Sequence, residues 1–281
     1  MSEVNERKHT YKAETTALSG HLDRPLSQPI EPQAHAKLAE QGGYFSQRAD
    51  GFQIESVLSF RSAYTHVAGN RSSKPGRGWD TLTTTVVEGL NVMEVLTADR
   101  VVGQMITEHP LVGHVPSISF LGTHFENLRI AGHPVELDID HAIVGPRPVN
   151  DASYTKDAGF IGRVSSQYDR IRQHKNLPPE LLEQYNRLNS TLDGAETVEC
   201  SLVNQAAGGF PGIIFGHVIK VPGFGVITLA KLTVKHENFH ETTKVPRKTT
   251  FTLTMIDLKL GCPVSGHVPV GTGSSNGSTD Q

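Results

Sequence analysis

His236-Glu237-Asn238-Phe239-His240 has the H-E-x-x-H spacing that, on a helix, sets two zinc-binding imidazoles one turn apart with a general base between them. The chemistry depends on the helix, and the flanks disfavour one. Upstream, VITLAKLTVK alternates like a strand; downstream, Thr242, Thr243, Val245 and Pro246 add β-branched residues and a helix breaker. The string therefore reads as a strand end or loop. On a strand, positions i and i+4 lie about 13 Å apart, too far for two bonds to one ion.

A second set is His133, Glu136, Asp138, Asp140 and His141. If residues 135–143 form a strand, Glu136, Asp138 and Asp140 share one side, where carboxylates could hold a hard cation. His141 falls on the opposite side with Val135, Leu137 and Ile139. His217 alternates with Ile213, Phe215, Ile219 and Val221 and should point inward. His141, His217, Asp138 and Asp140 thus form the candidate metal set, to be weighed against solvent-facing carboxylates and core histidines bonded to backbone. No cofactor is implied. G-x-S-x-G, P-loop and dinucleotide-binding motifs are absent from the sequence.

These residues must be positioned by strands, because the prevailing periodicity is two. Phe52, Ile54, Leu58, Phe60 and Tyr64 alternate with polar residues; Thr81–Val92, Val95–Thr107, Val198–Val203, Ile213–Val221, Val226–Val234 and Phe251–Leu260 are further runs. Pro222-Gly223-Phe224-Gly225 predicts a hairpin turn between two of them. The spacing between runs is too short for crossover helices, so an all-β, antiparallel sandwich or barrel of about nine or ten strands is expected. One helical insertion is predicted over 165–193, where Leu181, Leu182, Tyr185, Leu188 and Leu192 form a single stripe after Pro178-Pro179.

Residues 1–50 show little apolar periodicity, although HAKLAEQ suggests a turn of helix, and residues 269–281 are Gly/Ser-rich. Both read as mobile tails around a single β-rich domain over 51–268. The chain has 26 basic and 29 acidic side chains, a net charge of −3. Such a balance disfavours nucleic acid as a partner, and the basic clusters Arg71/Lys74/Arg77 and Lys244/Arg247/Lys248 read as solvated loop charge. The sequence has no membrane-spanning apolar window and no secretory signal, so a cytoplasmic location is the default. Two cysteines, Cys200 and Cys262, are expected to be reduced and mostly buried. The resulting expectation is a non-catalytic module that self-assembles or binds a protein partner, with a metal-dependent enzyme using core histidines and carboxylates as the alternative.

Overall fold

A computed structural model describes residues 7–25, 27–74 and 76–279. Strand accounts for 56% of the chain and helix for 12%. The long strands are β1 (Ala13–Arg24), β2 (Gln28–Lys37), β3 (Gly43–Ile54), β4 (Leu58–Arg71), β5 (Trp79–Val92) and β6 (Leu96–His109). They are followed by α1 (Ala158–Arg172), α2 (Pro179–Ser190), β7 (Thr197–Ser201), β8 (Val218–Val221), β9 (Gly225–Phe239), β10 (Pro246–Leu260) and β11 (Ser265–Ser275).

Two antiparallel sheets face each other without closing into a barrel. The first is the meander β3-β4-β5-β6, extended at β6 by short strands between residues 117 and 134. The second runs β8-β9-β10-β11-β1-β2, with β7 also paired to β9. The Pro222–Gly225 turn joins β8 and β9 as a hairpin, with Val221 opposite Gly225. The run from Phe52 to Tyr64 is two strands, not one. Glu55, at φ 45°, lies in the turn that folds Ile54 back opposite Leu58.

The tail expectation is corrected at both ends. β1 and β11 are neighbours in the middle of the second sheet, Val270 lying opposite Leu18 and Gly273 opposite Thr15. The short strands His9–Thr10 and Ser278–Thr279 pair in turn. In HAKLAEQ, His35–Lys37 end β2 and the following residues form a turn rather than a helix. Several inner residues of β1 and β11 are small: Ala17 and Gly273 stand where strands usually carry the bulky side chains by which they are recognised. Small residues are needed because the sheets approach closely here. A Cβ at Gly273 would lie 3.2 Å from Thr83 Oγ1 of the first sheet.

The helical insertion starts earlier than its sequence suggests. Asp157 caps α1 and accepts from Phe160 N at 2.7 Å. Phe160, Val164, Tyr168 and Ile171 form its buried stripe. Gln167 fixes α1 to β7, donating to Ser201 O at 2.8 Å and accepting from Ser201 N at 3.1 Å.

Leu18 on β1 is fully buried. Leu18→Ala should therefore destabilise the protein by roughly 2–5 kcal/mol in urea denaturation, as for other buried leucines. A change under about 0.5 kcal/mol, the range of surface positions, would contradict the placement of this segment in the core.

Candidate functional site

The first sheet ends on an open edge. Among the described residues β3 is hydrogen-bonded to β4 alone, in register from Gly43 opposite Gly69 to Ile54 opposite Leu58. Phe45, Gln47 and Ala49 lie opposite the buried Val67, Thr65 and Ala63. They therefore continue the inner face beyond the region that the second sheet covers. Nearly every residue of β3 is exposed, with Tyr44 at 68% and Phe45 at 43%. On the other face, Tyr44 stacks on His66 with ring centres 5.7 Å apart. Two residues on from Arg48, Asp50 accepts from Arg48 Nε at 2.9 and 3.0 Å in full view of solvent. Long edge strands are usually guarded, because their unpaired N–H and C=O groups template the addition of another strand. This one has a charge pair at its centre and aromatic residues towards one end.

The histidines singled out by spacing are dispersed. His236 lies on β9, fully buried, with its Nε2 accepting from Tyr154 N and its Nδ1 bonded to Thr249 Oγ1, both at 3.0 Å. Glu237 sits between Lys235 at 2.9 Å and Lys248 at 3.0 Å, and these cations hold its carboxyl below the ordinary value. His240 lies past the strand end and accepts from Thr242 N and Thr243 N. The H-E-x-x-H string is thus split between a core position, an ion pair and a turn.

His141 donates from Nε2 to Thr123 O at 2.9 Å, and His217 Nε2 lies 3.0 Å from the hydroxyl of Tyr185. Asp138 projects from the short strand Glu136–Ile139, whereas Asp140 accepts from Ala142 N in the following turn. Among the described residues, no three His, Cys, Asp or Glu side chains gather as a metal ion would need. The four candidate ligands therefore form no common centre in this structure. Cys200 is buried and its thiol is pushed up by desolvation; Cys262 is exposed, contrary to expectation.

Two polar clusters left no local trace in the sequence. At one end of the sandwich His9 stacks on Trp79 at 5.0 Å and meets His109 at 4.6 Å. His9 Nδ1 reaches Thr279 Oγ1 at 3.0 Å, and His109 Nε2 donates to Gly277 O at 2.9 Å. These bonds tie the segments beyond β1 and β11 to the first sheet. Across the second sheet, Lys231 Nζ lies 3.5 Å from Glu199 and 3.6 Å from Asp257, whose other oxygen meets His267. The adjoining cleft beneath α2 holds only about 40 Å³, space for water rather than for a substrate.

The scaffold is thus an open antiparallel sandwich with a helical cover over one end and a free edge strand. The chain belongs to the family described as Domain of unknown function (DUF8256), which matches residues 9–235. That span opens on the first short strand and closes within β9. No curated protein and no solved structure matches the chain. No helix among the described residues is long and apolar enough to cross a membrane.

Burial keeps four imidazoles neutral, lowering His9 and His236 to about 4 and His109 and His217 to about 3. Unfolded histidine protonates near 6.5, so the folded state binds fewer protons below that pH and stability falls as pH drops towards the folded values. Once the pH is well below 6.5, each imidazole should cost about 1.4 kcal/mol per pH unit. Urea midpoints should therefore fall steeply between about pH 6.5 and pH 5, before most carboxylates titrate. Constant midpoints across that window would refute the neutral buried assignment.

Proposed function

We propose that this protein is a non-catalytic module that assembles by strand addition at β3, with a second copy of the chain as the occupant. The observation that carries this reading is the strand Gly43–Ile54, paired on one edge among the described residues, with nine of its twelve residues exposed. Such an edge offers a row of main-chain donors and acceptors to an incoming strand, while alternate side chains set register.

The sequence of β3 is self-complementary about Ala49. In an antiparallel pair of copies centred there, Arg48 of each copy faces Asp50 of the other, Gln47 faces Gly51, and Tyr44 faces Ile54. Opposite charges directly across a strand pair stabilise it, and like charges oppose it. The Arg48–Asp50 contact within each chain would be exchanged for one between chains, two in the dimer. The pairing is isologous, so it closes as a dimer.

Sedimentation velocity over a wide concentration range tests this. The wild type should show a monomer–dimer equilibrium. Ala49→Pro, which removes a central donor, should be monomeric with an unchanged melting temperature. Arg48→Asp should also be monomeric, because it sets Asp against Asp, and the double exchange Arg48→Asp with Asp50→Arg should restore the dimer. A monomeric wild type, or dimers indifferent to both single substitutions, would overturn the reading.

A further inference from the structure

A separate concavity lies at the end of the sandwich where the first and last described strands meet. It has a volume of about 480 Å³ and is lined by Lys12, His114, Asn238, Arg247, Lys248 and the hydroxyl residues Ser278 and Thr279. Small-molecule sites generally fall between about 300 and 1,000 Å³, so its size suits a ligand rather than a single water. Every lining side chain can donate a hydrogen bond, and none of those described is acidic.

The charge around it is unevenly balanced. Lys248 is neutralised by Glu237 at 3.0 Å. Among the described residues, no carboxylate lies within ion-pair distance of Lys12 or Arg247. Arg7 holds the neighbouring loop by donating to Leu111 O at 3.0 Å and to Gly113 O at 3.3 Å, which adds a further cation to this end. Asp151 is the counter-charge at this loop, and it is engaged by Arg147 at 2.8 Å and by the backbone N–H groups of His114 and Val115.

His114 forms one wall of the pocket. Burial lowers its pKa, as do the positive charges of Arg7 and Arg247, while the carboxylate of Asp151 opposes them.

We infer that this pocket binds a small phosphate-bearing molecule, with Arg247 and Lys12 contacting the anionic group and Asn238 and Thr279 supplying neutral hydrogen bonds. Arginine favours phosphate because its planar fork donates two parallel bonds to two oxygens, and lysine adds a point charge. The pocket lies on strand ends and loops away from β3, so the proposal does not depend on dimerisation.

Pyrophosphate is the probe, titrated by calorimetry and by thermal melting at ionic strength held constant with sodium chloride. One saturable site should appear with a raised melting temperature, and citrate should bind more weakly. Arg247→Gln and Lys12→Gln should each weaken pyrophosphate about tenfold, the factor that about 1.4 kcal/mol represents. Lys175→Gln, an exposed cation in the turn between α1 and α2, should leave affinity unchanged. Stabilisation no greater than that given by chloride, pocket variants that bind as tightly as the wild type, or preference for citrate would each overturn the assignment.

Discussion

The structure depends first on the pairing of β1 with β11. These two strands lie side by side inside the second sheet, and their pairing joins the β1–β2 hairpin to β9, β10 and β11. The junction is tight. A Cβ on Gly20 would lie 2.2 Å from His267 O, and one on Gly266 would lie 2.3 Å from His21 O, so glycine at both positions lets the backbones approach. Beyond the junction the pairing of His9–Thr10 with Ser278–Thr279 continues the closure, and His9 and His109 secure it to the first sheet.

That junction also explains what sequence reasoning could read. Strands with bulky alternating residues, such as Phe251–Leu260 and Val226–Val234, declared themselves, because a wide part of the core needs large side chains on one face. β1 and β11 mix Ala, Thr, Gly and Ser with fewer large residues, since the sheets approach closely where Thr85 and Thr83 face Gly271 and Gly273, and β2 is interrupted by Pro29 and Pro32. A pattern of small residues carries the same period as a pattern of large ones but little of its hydrophobic contrast, and so resembles a flexible tail. The free edge was hidden for a related reason. Phe52 and Ile54 read as the start of the strand that leads to Tyr64, and the turn at Glu55 was not distinguished from it.

The chemistry was legible only in part. The objection to H-E-x-x-H rested on strand-forming neighbours, and His236 does lie on β9, opposite Thr249. The expectation that His217 points inward also agrees with its burial, although its partner is the Tyr185 hydroxyl of α2 rather than a backbone group. Contacts such as His9 with His109 join residues about a hundred positions apart and can be seen only once the strands are in register. Buried histidines serve here as neutral hydrogen-bonding wedges, each given at least one partner and a low-dielectric surround.

The meeting of β1 and β11 bears on how the chain matures. A ribosome releases the β1–β2 hairpin well before β11, so one edge of that hairpin stays unsatisfied until β11 follows. The β3–β6 meander, built from contacts between neighbours in the sequence, can form meanwhile and leaves its inner face waiting for a cover. The nascent chain therefore carries a half-built sandwich with exposed apolar surface, the kind of species on which holdase chaperones act. Slow codons or a stall late in the message would prolong that interval, whereas the same delay within the meander would do little harm.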